Sequence, residues 1–205
     1  MFYKIVVGYL QTNCYIITQD KKAIVIDPGA EPEKILSEIK RYELEVELII
    51  STHGHFDHIE AVKELVAVTN AEFAVHEKEQ FILKDSTNRA ETVFGLDLGD
   101  PQCPDRYLQD GEIIKINTLE IKIIHTPGHT PGSICILYDD MVFTGDTLFD
   151  NTIGRTDLNG GSRDEIIKSI KHKLFNLKEE TKVYPGHGEA TTIGKEKKNN
   201  PFVKS

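Results

Sequence analysis

Cysteine is scarce in this chain of 205 residues: Cys14, Cys103 and Cys135 are its only thiols. They are widely spaced, odd in number and form no CxxC pair, which argues against a disulfide framework and against a thiolate zinc knuckle. So few thiols fit a reducing compartment, and the cytoplasm is the expected location. No uninterrupted apolar run approaches the roughly 20 residues needed to span a bilayer. The opening residues, Met1 to Gly8, lack the basic region, apolar run and small-residue cleavage site of an export signal. Basic side chains are in deficit, with 24 Lys and Arg against 33 Asp and Glu and a formal net charge of −9. That sign argues against broad nucleic-acid backbone binding and against adhesion to an anionic membrane. Low-complexity tracts and short-period repeats are missing as well. What remains is ordinary for a globular protein: 39% hydrophobic and 28% charged residues. A chain of this length buries roughly 70% of its unfolded surface. One domain over residues 1–205 is the expectation.

Strands open the chain. Residues 2–7, 14–18 and 23–27 are rich in β-branched and aromatic side chains, with turn formers between them. Ile35, Leu36, Ile39 and Tyr42 recur at helical spacing and predict a helix over 31–42. A buried strand over 46–51, a helix over 57–69 and a strand over 72–75 follow. Residues 84–105 show no clear period and read as a connection between two halves. The second half repeats the plan, with strands over 112–116, 119–125, 133–138 and 141–144. A Gly- and Asn-rich loop, a helix over 164–174, a strand over 181–184 and a polar tail complete it. The pattern predicts an α/β protein of two βα-type halves packed sheet to sheet, with helices outside.

The strongest local signal is Thr52-His53-Gly54-His55-Phe56-Asp57-His58, where a buried strand hands over to a helix. Neighbours two apart on an extended chain point the same way, so His53 and His55 can share one ion. Asp57 and His58 can then face a second position nearby. Such nitrogen and oxygen donors suit zinc, iron or manganese. Asp57 with Glu60 three residues later also fits a helix capping box, a role that needs no metal. Further candidates follow strands elsewhere: His129 in the Pro/Gly-rich turn 125–132, Asp146 in Gly145-Asp146-Thr147, and His187 in Pro185-Gly186-His187-Gly188. Strand ends are where α/β proteins tend to place ligand groups.

In their order and character these elements resemble the metallo-β-lactamase superfamily. The motifs are HGHFDH at 53–58, His129 in TPGHT, Asp146 in TGDTLF and His187 in YPGHG, with Ile26-Asp27-Pro28-Gly29 as the opening strand and turn. The resemblance spans residues 2 to about 190. It implies a four-layer αββα sandwich with a dinuclear metal site along one edge of the sheets. Carried over, His53, His55 and His129 would hold one ion, Asp57, His58 and His187 the other, and Asp146 would bridge them. Asp27 would orient the ligands from behind, as outer carboxylates commonly do; it also reads as a plain strand-to-turn Asp. His76, His125 and His172 match no ligand position. Two divalent ions are the expected cofactors, with zinc foremost and iron or manganese compatible with the same donors.

Seven ligands without a thiolate point to hydrolysis rather than structural zinc. Asp57 would orient the nucleophile and take up its proton. Within the superfamily, Gly154-Arg155-Thr156-Asp157 after TGDTLF, and the tail from Gly188 to Gly194 with Asn200-Pro201-Phe202, look like small bacterial hydrolases of the glyoxalase II type. That likeness implies hydrolysis of a small-molecule thioester such as S-lactoylglutathione, with Arg155 meeting the glutathione moiety. Full-length glyoxalase II carries a helical C-terminal domain; this chain ends soon after His187, so no separate glutathione-binding domain is expected. A persulfide dioxygenase on the same fold is the alternative, with one iron held by His53, His129 and Asp146. A β-lactamase is set aside, because no export signal is read and Asp146 stands where the best-known zinc β-lactamases have Cys.

Overall fold

Consecutive aliphatic residues dictate the architecture. Ile16-Ile17, Ile24-Val25-Ile26 and Ile49-Ile50 leave no polar face on their strands, so a sheet built from them must be covered on both sides. The computed structural model describes residues 1–203, apart from the side chains of residues 88, 89 and 94. In the first half, β1 (Phe2–Val7), β2 (Thr12–Gln19), β3 (Lys22–Ile26), α1 (Pro32–Arg41), β4 (Glu45–Ile50), α2 (Val62–Thr69), β5 (Glu72–His76), α3 (Gln80–Arg89) and β6 (Arg106–Leu108) follow one another. The second half comprises β7 (Ile113–Ile116), β8 (Leu119–His125), β9 (Ile134–Tyr138), β10 (Met141–Gly145), β11 (Leu148–Phe149), β12 (Thr152–Ile153), α4 (Arg163–His172), β13 (Lys182–Pro185), β14 (Thr191–Thr192) and α5 (Ile193–Asn199). One six-stranded sheet runs β1-β2-β3-β4-β5-β6 and the other β14-β13-β10-β9-β8-β7; β11 and β12 pair separately.

Alternate side chains of each strand serve different layers. Tyr15, Ile17, Ile24, Ile26 and Ile50 face the second sheet and meet Ile121, Ile123, Ile136 and Phe143. Their neighbours Ile16, Val25 and Ile49 meet Ile35 and Ile39 of α1 and Leu65 of α2. On the far side, Cys135, Val142 and Val183 pack against Ile166 and Ile170 of α4. Three apolar seams therefore hold four layers, the expected αββα sandwich, and each fully buried aliphatic side chain contributes roughly 1.5–3 kcal/mol. No helix among the described residues is long and apolar enough to cross a membrane.

Four local expectations are corrected. Residues 57–69 do not form one helix: a 3₁₀ turn covers Phe56–His58 and α2 begins only at Val62. No side chain caps α2, so the capping-box reading of Asp57 and Glu60 fails and Asp57 is left to the cluster described below. The connection over 84–105 begins inside α3 and continues into a π-helical turn, Ala90–Phe94. The buried face of α3 passes from Ile82 and Leu83 to the polar Ser86 and Thr87 one turn on, which hides the helical period from a hydrophobic pattern. The polar tail contains α5, with Ile193 buried and Thr192 accepting the Lys195 N–H at 3.2 Å.

Candidate metal centre

One edge of the sandwich gathers the residues that follow β3, β4, β10 and β13 and those of the β8–β9 connection. Asp27 follows β3 with φ +51° and ties that edge together: its Oδ1 accepts the Thr52 N–H at 2.6 Å and its Oδ2 the Thr52 hydroxyl at 2.8 Å. Asn13 of β2 donates from Nδ2 to the carbonyls of Pro185 (2.9 Å) and Gly188 (3.0 Å), and Tyr15 donates to Pro185 at 2.7 Å. The first sheet thereby fixes the loop that carries His187, whose Pro185 is 172 residues from Asn13. Gly186 must be glycine, because a Cβ there would lie 2.4 Å from Asp146 Oδ1 and 2.7 Å from His58 Cε1.

The structure brings all seven predicted ligand residues together. His129 Nε2 lies 3.2 Å from His53 Nε2 and 3.0 Å from His55 Nδ1. Asp57 Oδ2 lies 3.2 Å from His187 Nε2 and 3.5 Å from His58 Nε2. Asp146 stands between the two trios, with Oδ1 3.5 Å from His58 Nε2 and Oδ2 3.6 and 3.7 Å from His187 and His129. One donor atom from each member of His53, His55 and His129, of His53, His58 and Asp146, and of Asp57, His58 and His187 falls within 4.8 Å of the others.

The ring protons show what the cluster is built to receive. The Thr52 hydroxyl gives its proton to Asp27, so it accepts from His53 Nδ1–H at 3.1 Å. His129 Nδ1–H donates to the Arg155 carbonyl at 2.8 Å, and His187 Nδ1–H to the Leu10 carbonyl at 3.0 Å. His58 Nδ1 lies 3.0 Å from Asp27 Oδ2, an ionic contact that falls short of hydrogen-bond alignment and leaves Nδ1 without a hydrogen bond. In neutral imidazoles with these partners, Nε2 of His53, His129 and His187 is a bare lone pair aimed inward. Asp146 Oδ1 is buried and likewise makes no hydrogen bond. Leaving such groups unpaired costs upward of about 1–3 kcal/mol each. A cation among these donors removes that cost at Asp146 Oδ1 and takes up the inward lone pairs, so the donor set fits divalent metal.

Electrostatics divides the cluster. Burial, reinforced by His58, holds the His53 imidazole well below its ordinary range, and burial also lowers His129. At His58 burial works downward too, but Asp27, Asp57 and Asp146 outweigh it and lift the ring to about 10. His187 is raised against burial by its contact with Asp57. Burial pushes Asp57 up, yet His58 and His187 hold its carboxyl far below the ordinary range.

A cavity of about 410 Å³ opens over the cluster, walled by Leu10, Phe56, Ser86, Val93, Arg155 and Leu158. A larger one, about 770 Å³, lies where β4 and β5 begin, at the opposite edge, and contains none of the clustered residues. The Arg155 guanidinium sits at the cavity rim, held by Asp157 through Nε and Nη2, both at 2.8 Å. Its carbonyl, not its side chain, meets His129. Thr52, Asn13 and Leu10 escape a reading by motif. Thr52 directly precedes His53 and could have been suspected; Asn13 shows only as an amide inside an apolar strand.

An αββα sandwich with seven His and Asp donors along one edge defines a class of metal-binding protein. The model of the metallo-β-lactamase superfamily matches residues 7–187. "Hydroxyacylglutathione hydrolase GloC" of Haemophilus influenzae is 40% identical over 200 residues, 95% of this chain and 94% of that protein. A solved structure described as BLEG-1 B3 metallo-β-lactamase is 38% identical, with a TM-score of 0.94 and all of both chains covered. TTHA1623 in a di-iron-bound form is 35% identical (TM-score 0.89, 98% of this chain and 99% of that one), and ETHE1 from Myxococcus xanthus 29% (0.84, 98% and 83%). The chain belongs to the metallo-β-lactamase superfamily, and by this kinship it is a metallo-hydrolase.

Proposed function

We propose that the protein hydrolyses a small-molecule thioester, using two divalent ions held by His53, His55 and His129, by Asp57, His58 and His187, and by Asp146 between them. The observation that carries this is the ring-proton pattern, which spends outward N–H groups on fixed acceptors and turns lone pairs inward. When bound, divalent ions supply Lewis acidity and lower the pKa of water toward 7. Zinc suits the donors, as do iron and manganese, and the di-iron-bound form of TTHA1623 supports iron as an alternative.

The chain's own groups do the rest. Asp57, kept ionised by its histidine neighbours, accepts a hydrogen bond from the attacking water and orients it. Asp27 steadies His58 directly and His53 through Thr52. The apolar cavity walls exclude bulk water and receive the acyl group. Arg155 at the rim attracts a carboxylate on the thiol portion, a group that glutathione carries. A thiol ionises near pH 8.5, so the departing sulfur needs no strong general acid. The scarcity of thiols supports a cytoplasmic setting.

The likeness to ETHE1 favours a second reading, persulfide oxidation at one iron held by His53, His129 and Asp146. Free-thiol release from S-D-lactoylglutathione by metal-replete protein tests the first reading. Turnover abolished by chelator and restored by metal is expected. Oxygen uptake with glutathione persulfide, or opening of a β-lactam ring, in place of thiol release would contradict it.

A further inference from the structure

Glu79 ends the 3₁₀ turn Glu77–Glu79 after β5 and is wholly buried. A buried carboxylate is costly unless its lone pairs are used. Among the described residues no Lys or Arg pairs with it, and its partners are three donors instead. Oε2 accepts the Gly54 N–H at 2.6 Å; Oε1 accepts the Thr130 hydroxyl and the Gly132 N–H, each at 2.7 Å. Gly54 lies between His53 and His55, and Thr130 follows His129. A single carboxylate therefore bolts together two loops, some 75 residues apart in sequence, whose imidazoles converge at 3.0–3.2 Å. Both glycines leave it room: a Cβ on Gly132 would lie 2.6 Å from Oε1, and one on Gly54 3.1 Å from Oε2. The supports of Asp57, His58 and His187 come instead from β2, Leu10 and Asp27.

We propose that Glu79 is a positioning residue for one half of the metal centre: its two acceptor oxygens set the separation of the 53–55 and 129–132 loops, and so the metal affinity of the His53/His55/His129 position alone. The inference rests on the metal reading given above. Glu79 touches neither metal ligand nor cavity; it acts through the backbone N–H groups beside the ligands.

Glu79→Gln tests it, because the amide must turn its NH₂ toward the Gly54 or the Gly132 N–H and lose that bond. Zn²⁺ is titrated into apo protein against a competing chelator, with His129→Ala and His187→Ala assigning the two binding steps. The expected result is ~10–100-fold weaker binding in the step that His129→Ala removes, with the other step within twofold of wild type. Unchanged binding in both steps, or equal weakening of both, overturns the proposal. Should Glu79→Gln not fold, Thr130→Val removes one donor and leaves the carboxylate; it is expected to weaken the same step selectively, and equal weakening of both steps again overturns the proposal. Wild-type protein that takes up no Zn²⁺ would instead sink the metal reading itself.

Discussion

The two trios of the cluster are built on different physics. His53, His55 and His129 are all imidazoles, and burial keeps His53 and His129 uncharged. Their outward N–H groups rest on neutral acceptors, the Thr52 hydroxyl and the Arg155 carbonyl. Asp57, His58 and His187 form the charged counterpart, with a carboxylate in the trio and Asp27 behind it. His187 is also the more exposed, at 27% of its side chain against 3% for His129. The first trio depends on placement and the second on charge. Substitutions that move atoms should therefore hurt the first, and substitutions that remove charge should hurt the second.

The largest effect is expected from emptying the charged trio. Asp57→Ala or His187→Ala should lower metal content and cut turnover by orders of magnitude; elemental analysis and a thiol-release assay check both. Wild-type turnover in either variant would break the assignment. Asp27→Asn is more discriminating. It keeps the shape but removes the charge behind His58, and loss of such an outer partner costs about 10–100-fold in affinity. The step assigned to Asp57, His58 and His187 should weaken more than the His53/His55/His129 step, although Thr52 also leans on Asp27; the reverse order in a chelator competition would contradict the division. Arg155→Ala should chiefly raise KM with kcat nearly kept, as loss of uniform binding does. An unchanged KM would remove Arg155 from the substrate site.

The smallest effect lies beside the centre, where His76 and His125 stack with ring centroids 4.1 Å apart at 8°. Burial, with His125 and Lys78 adding repulsion, lowers His76 to about 4, and its Nδ1 accepts the Lys78 N–H. A folded-state pKa below the unfolded value of about 6.5 means that folding excludes a proton there. The stability His76 contributes is present above that value and fades as pH falls toward 4. His76→Asn keeps an acceptor for Lys78 without the titration. Its melting temperature should fall less than that of wild type between pH 6.5 and 4; parallel curves would contradict this.

Much of this was readable before any fold was known. Strands over 2–7 and 119–125 are visible because β-branched, aliphatic and aromatic residues dominate them, alternating with Glu120 and Lys122 in the second, and turn formers punctuate their ends. The seven donors stand out because His and Asp crowd 53–58 or sit beside Gly and Pro at strand ends. Residues whose part depends on distant pairing stayed hidden. Glu79 sits in the charged run Glu77-Lys78-Glu79, which looks like a solvated face until β5 places it under two loops. Asn13 matters only because β2 runs beside residues 185–188. β6 is three residues long with only Leu108 buried, too short to show a period.

Anomalous diffraction from crystals of the zinc-loaded protein tests the central claim most directly. Two peaks are predicted, one among His53, His55 and His129, the other among Asp57, His58 and His187, with Asp146 reaching both. A single peak that leaves Asp57 and His187 uncoordinated would contradict the two-trio account.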